Sequence, residues 1–137
     1  MARILAIDYG KKRTGIAVTD PLQIIATGLE TINSHELIPF LKNYFINEMV
    51  ELIIIGLPLN LDETPTHGTT PAKNAIERLQ KAFPQIPLKT VDERYTSKMA
   101  VHAMLEMGMK KKERQVKANI DVIAATIMLQ AYMAQNQ

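Results

Sequence analysis

Four acidic residues stand where a chain would put them to hold a metal ion. Asp8 closes the apolar run Ile4-Leu5-Ala6-Ile7 and is followed by Tyr9-Gly10-Lys11-Lys12-Arg13-Thr14-Gly15. Asp92 and Glu93 close a second short run, Leu88-Lys89-Thr90-Val91, and Asp121 falls in the first turn of the last stretch with helical periodicity. A carboxylate at the end of a buried strand loses much of its water and needs a metal, a cation or a turn amide as partner. Carboxylates gathered together raise one another's pKa unless a cation joins them. The natural cations are Mg2+ and Mn2+, hard ions that prefer oxygen ligands. Two such ions about 3.5–4 Å apart can activate a water and stabilise the leaving oxygen of a phosphodiester. Nuclease chemistry is the result, provided the fold brings the three stations to one place.

The elements that must do so can be read in order. Residues 3–8 and 15–19 form two strands joined by a short turn through Gly10 and Lys11, a β-hairpin. Asp20-Pro21 makes a turn, and residues 23–32 continue a β-rich pattern, which gives a three-stranded antiparallel meander. Ser34 is placed to cap a helix on which Leu37, Phe40, Leu41, Tyr44 and Phe45 recur, with Pro39 tolerated only near its first turn. Residues 51–56 are an unbroken apolar run, the pattern of a central parallel strand covered on both faces. A long loop over 57–71, rich in Pro and Thr, precedes a helix over 72–83 and the strand that ends in Asp92 and Glu93. Thr96 or Ser97 can cap a further helix with Met99, Met104 and Met107 on its apolar side, ended by Gly108. A basic link over 110–117 leads to the last helix, residues 119–133, whose Ala124 and Ala125 would let it approach a sheet closely. Meander followed by alternating strands and helices means a mixed α/β sheet of three antiparallel and two parallel strands, flanked by helices. If the first and last strands are both central in it, their ends converge.

Composition narrows the alternatives. A chain of 137 residues suits a single domain, 1–137, with one core. It is 47% hydrophobic and 22% charged, ordinary values for a soluble protein, and no apolar run nears the roughly 20 residues that span a bilayer. No secretory signal pattern opens it, and the lack of cysteine removes disulfides and thiolate metal sites, consistent with a reducing, cytoplasmic setting. With a net charge of only +2, the clustering of basic residues matters more than their sum. Lys11, Lys12 and Arg13 would meet a phosphodiester near Asp8, and Lys110, Lys111, Lys112, Arg114 and Lys117 could grip a nucleic-acid backbone by charge neutralisation.

Each feature also has a purely structural reading. Asp8 could cap a turn, and Asp121 in a first turn would be favoured by the helix macrodipole whatever its task. Arg94 could orient a phosphate or neutralise Asp92 and Glu93. Both basic clusters could be solvated surface. The three histidines, His35, His67 and His102, show no ligand spacing, and Asp20 before Pro21 reads as a turn residue.

Four motifs in register carry a resemblance. Asp8-Tyr9-Gly10-Lys11-Lys12-Arg13-Thr14-Gly15, Gly56-Leu57-Pro58-Leu59-Asn60, Asp92-Glu93-Arg94-Tyr95-Thr96-Ser97, and Asp121 with Ala124-Ala125 and Leu129-Gln130 together resemble the YqgF family over nearly the whole chain. That bacterial group is described as pre-16S rRNA nucleases and, through its relation to the RuvC resolvases, as Holliday junction resolvases. The resemblance implies a ribonuclease H-like fold and one or two Mg2+ or Mn2+ ions held by Asp8, Asp121 and one or both of Asp92 and Glu93, with Glu93 the favoured ligand. The loop after Asn60 departs from the family's common Pro-Leu-Asn-Met-Asp-Gly, reading Leu61-Asp62-Glu63 instead, which bears on substrate detail and leaves the acids intact.

Three functions follow for comparison. The first is a metal-dependent endonuclease acting on structured nucleic acid, either precursor ribosomal RNA, with ribosomal particles as partners, or branched DNA, which a homodimer would cut more symmetrically than a monomer. The second is a phosphotransfer domain, since a strand, Asp-x-Gly and hairpin also open sugar kinases and actin-like ATPases; those use two such domains, and this chain has length for one. The third is a nucleic-acid-binding ribosome assembly factor with little catalysis, against which the retention of three acid stations counts.

Overall fold

Five strands make one sheet in the computed structural model, which describes residues 2–57, 69–92 and 117–135. They are β1 (Arg3–Tyr9), β2 (Arg13–Thr19), β3 (Ala26–Asn33), β4 (Val50–Leu57) and β5 (Leu88–Asp92), in the spatial order β3-β2-β1-β4-β5. β1, β2 and β3 form the antiparallel meander, and β4 and β5 add to the other side of β1 in parallel. The mixed sheet expected from the pattern is therefore present, with β1 at its centre.

A 3-10 turn (Ser34–Glu36) leads into α1 (Leu37–Asn47), which carries the chain to β4; α2 (Thr69–Ala82) lies between β4 and β5, and α3 (Lys117–Gln135) comes last. Alternation along β1 divides its side chains between two cores. Leu5 and Ile7 join Ile16, Ile53, Ile55 and residues of α1 and α2 such as Leu41 and Leu79. Ile4 and Ala6 join Ala17, Ile54 and residues of α3 such as Ala125 and Leu129. Ile53, Ile54 and Ile55 are all fully buried, as a strand with helices on both faces requires. On the α1 side, Phe45 and Phe83 meet edge to face with centroids 4.9 Å apart.

Several expectations shift in detail. β2 begins at Arg13, so Arg13 belongs to a strand and the turn is shorter than the basic triplet suggested. α2 starts at Thr69, which puts Pro71 in its first turn, where a missing N–H removes no helical bond. The predicted loop over 57–71 thus yields Leu57 to β4 and its last three residues to α2; residues 58–68 lie outside the described ones. Ser34 is not a helix cap. It is buried and opens the 3-10 turn; its hydroxyl donates to the Gly10 carbonyl and so must accept from Thr14 Oγ1, 2.8 Å away. Its N–H donates to the Lys12 carbonyl at 2.9 Å. The hairpin turn carries carbonyls that need donors, and a buried serine supplies them better there than at a helix end exposed to water. Asp20 is the turn residue expected, its Oδ1 accepting from the amides of Ile24 and Ile25 at 2.7 and 2.8 Å. Met128 is core, whereas Met99, Met104, Met107 and the helix expected for them lie outside the described residues.

Candidate metal and nucleic-acid site

The direction of Asp8 follows from strand alternation. Ile4 and Ala6 face α3 and Leu5 and Ile7 face away, so Asp8, the next even position, emerges on the α3 face, partly buried. Its cross-strand partner is Gly15, which shares that face. A methyl group at Gly15 would overlap the carbonyl oxygen of Asp121 and stand 2.8 Å from the Val122 amide nitrogen. The backbone of α3 therefore rests directly on β2 at this point, and only glycine leaves it room. Gly28 on β3 extends the trough, since a methyl there would stand 2.5 Å from Val122 Cγ1. Asp8 and Asp121 thus flank one glycine although 113 positions separate them in the chain.

Asp121 is not in the first turn of its helix. α3 begins at Lys117, which makes Asp121 the fifth residue, and the first turn carries no acid. The macrodipole falls off within a turn, so it no longer accounts for an acid at this position. Arg13 lies two residues before Gly15 on the same face, and its Nε donates to Asp121 Oδ2 at 3.4 Å. This ion pair was not legible in the basic triplet, because nothing local to residues 11–13 distinguishes the one cation that enters the strand. Lys11 and Lys12 remain exposed in the turn beside it. Arg78 of α2, which sequence reasoning passed over, donates to the Tyr9 hydroxyl at 3.0 Å at the same end of β1; a single arginine on an amphipathic helix gives no warning of this.

The third station approaches from β5. Ile7 pairs with Ile55 and Gly56 with Val91, so the end of β5 is level with Asp8, two strands or about 10 Å away across the sheet. Asp92 is the last residue of β5. Glu93, Arg94, Lys110, Lys111, Lys112 and Arg114 lie outside the described residues, and Lys117 opens α3. Among the described residues no three acidic or histidine side chains gather into a metal-sized group. His35 sits exposed, with Nε2 3.8 Å from Glu36 Oε1.

Among the described residues, this end of the sheet brings together Asp8, Gly15 and the Asp121 backbone, with Arg13 beside them and Lys11 and Lys12 at the adjoining turn. A cavity of about 380 Å3, lined by Ile4, Glu51, Leu52, Lys89 and Tyr132 among others, lies at the opposite ends of the strands and includes none of the predicted site residues. No described helix is long and apolar enough to cross a membrane.

Comparison with known proteins bears on this arrangement. The family model described as "RuvX: Holliday junction resolvase" matches residues 2–135. Relatives from Christiangramia forsetii and Bacteroides thetaiotaomicron, both named "Putative pre-16S rRNA nuclease", are each 51% identical over 133 residues, which is 97% of this chain and 98% and 96% of theirs. Among solved structures, Thermus thermophilus RuvC in complex with a Holliday junction substrate has a TM-score of 0.61 at 13% identity, over 99% of this chain and 96% of that one. A second Thermus thermophilus RuvC structure has a TM-score of 0.54 at 14% identity, over 98% and 96%. At such low identity the likeness concerns the fold alone, which is the ribonuclease H-like sheet that RuvC shares.

Proposed function

Since the chain belongs to the RuvX family of Holliday junction resolvases, the YqgF group that its motifs resemble, we propose that it is a cytoplasmic, divalent-metal-dependent endonuclease that trims the 5′ end of pre-16S rRNA. Residues 1–137 act as one ribonuclease H-like nuclease domain, met by ribosomal particles as its partners. The observation that carries this reading is the meeting of Asp8 and Asp121 across Gly15. Two partly buried carboxylates in a chain without cysteine are the donor set of a hard ion, so Mg2+ or Mn2+ fits.

Asp8, Asp121 and Glu93 are the residues that would hold one or two such ions. Of Asp92, which ends β5, and Glu93 after it, Glu93 is taken as the third ligand, in keeping with the family resemblance. When bound, the metal supplies Lewis acidity and charge neutralisation for hydrolysis of a phosphodiester. The protein contributes placement. Asp8 lies on the central strand cross-strand from Gly15 of β2, and the α3 backbone at Asp121 rests on that glycine, so their relative position is set before substrate arrives. Lys11, Lys12, Arg13 and Arg94 orient the scissile phosphate, and Lys110, Lys111, Lys112, Arg114 and Lys117 hold the flanking backbone. Asp92 supports the site from the end of β5. No side chain serves as a nucleophile.

A second reading, resolution of four-way DNA junctions by a homodimer, draws on the description of the matching family. One assay separates the two. Purified protein is incubated with pre-16S rRNA, single-stranded RNA and a four-way DNA junction, with Mn2+ or EDTA, and with Asp8→Asn as control. Cleavage of the precursor that requires Mn2+ and falls at least about 100-fold in Asp8→Asn supports the proposal, a size set by losing a group that acts on the transition state. Cleavage that survives both EDTA and the substitution sinks it. Preference for the junction favours the second reading, and tight binding without cleavage marks an assembly factor.

A further inference from the structure

Among the described residues, two arginines pair through Nε with a carboxylate, and they are paired differently. Arg3 is committed: Nε meets Glu48 Oε2 at 3.0 Å while NH1 donates to the Thr19 carbonyl at 2.9 Å, so two bonds hold one guanidinium between strands. Arg13 is not. Its contact with Asp121 is 3.4 Å long, beyond the 2.7–2.9 Å or so of a firm charged hydrogen bond, and its side chain is 38% exposed against 24% for Asp121. A partly exposed pair of this kind contributes only about 2- to 5-fold to an equilibrium and is readily exchanged.

Resting on the metal-site reading above, we infer that Arg13 is a positioning residue that holds Asp121 while the site is unloaded and releases it to the metal when a backbone phosphate takes the guanidinium. Three observations support the exchange. The Asp121 backbone cannot retreat, because Gly15 seats it against β2, so a change of partner needs only side-chain rotation. The guanidinium keeps its two terminal nitrogens, with four N–H donors, for the forked contact that phosphate favours. Lys11 and Lys12 are exposed in the adjoining turn and draw a polyanion to this edge. Arg13 thus competes with a cation for Asp121 when nucleic acid is absent and ceases to compete when it is present. Metal and substrate become positively coupled, and by linkage each strengthens the other.

The test titrates the full chain with Mn2+ in the absence of nucleic acid, following binding by calorimetry, for wild type, Arg13→Gln, Arg13→Lys, Lys12→Gln and Asp121→Asn. Arg13→Gln is expected to tighten Mn2+ binding about 2- to 5-fold, the exchange value of the ion pair. Arg13→Lys should stay near wild type. Lys12→Gln removes the same charge from the same turn and should change affinity by less than half as much. In EDTA, Arg13→Gln should weaken binding of pre-16S rRNA. Unchanged or weaker Mn2+ binding in Arg13→Gln overturns the inference, as does equal tightening in Lys12→Gln, which would reduce the effect to diffuse charge. Asp121→Asn keeps the underlying reading separable: if it weakens Mn2+ binding about 10-fold while Arg13→Gln does nothing, the metal site stands and the exchange falls. If Asp121→Asn also does nothing, the site itself is wrong. Circular dichroism melts of every variant confirm that binding is compared between folded proteins.

Discussion

The two faces of the sheet are packed on opposite principles. Toward α1 and α2 it presents Leu5, Ile7, Ile16, Ile53 and Ile55, large side chains that keep the helices at ordinary distance. Toward α3 it presents Ile4 and Ile54 among the small residues Ala6, Gly15, Ala17 and Gly28, and the helix answers with Ala124 and Ala125 beside Leu129, so that at Gly15 backbone lies on backbone. The first face supplies stability, since each large buried aliphatic side chain contributes roughly 1.5–3 kcal/mol through burial. The second gives up bulk to gain proximity, and the only predicted acids described with side chains, Asp8 and Asp121, both belong to it. Stability and chemistry are thus divided between the faces, and substitutions can show how cleanly.

The largest effect is expected from Gly15→Val, which forces α3 off β2. It should lower stability by about 1–3 kcal/mol or more, as overpacking does, and abolish cleavage in the same protein, measured by a thermal melt and a nuclease assay. If activity per folded molecule survives, proximity through Gly15 is not what the site requires. Ile55→Ala on the other face should cost about 2–5 kcal/mol through cavity formation and leave cleavage per folded molecule unchanged. A matching loss of kcat would mean the faces are coupled. Ser34→Ala, which strips the hairpin turn of a buried hydroxyl, should cost about 1–3 kcal/mol for the carbonyl left without its donor, with a modest rise in KM as the basic turn loosens. Smallest is Asp20→Asn at the opposite end of the sheet. The Ile25 amide, with help from that of Ile24, holds the Asp20 carboxyl below its ordinary range. Its contribution is therefore fully present above the unfolded value of about 4 and is lost as pH falls through the lower folded value. The substitution should lower the neutral-pH melt slightly, bring variant and wild type together as pH falls through the Asp20 titration, and leave cleavage nearly untouched.

The large-residue face was the more legible in the sequence. Apolar alternation in β1, the run Ile53-Ile54-Ile55 and the helical recurrence of Leu37, Leu41 and Tyr44 are local patterns whose period fixes element and direction together. Asp8 was legible for the same reason, as an acid closing an apolar run. The small-residue face hid its main contact. Glycine in a hairpin reads as turn freedom, and only the fold shows that Gly15 is small because a helix 106 positions later lies against it. The place of Asp121 was misread by one turn because α3 starts earlier than its apolar pattern, at Lys117, within a basic stretch that reads as a link. Ser34 was misread because a serine before a periodic stretch has the local signature of a cap, while its buried partners, Thr14 and Gly10, come from a distant strand and turn.

The backbone contact at Gly15 also sets a time at which the enzyme can first act. The meander and the β1–β4 pairing are complete in the first 57 residues, and they can begin to organise as that length of chain emerges from the ribosome. Asp8 is then in place but has no counterpart, because the helix that carries Asp121 begins only at Lys117. Contacts of such long sequence separation form late. With the proposed site, a nascent chain would own a well-ordered sheet and still be inert toward the ribosomal RNA surrounding it, becoming competent to cut only when α3 docks.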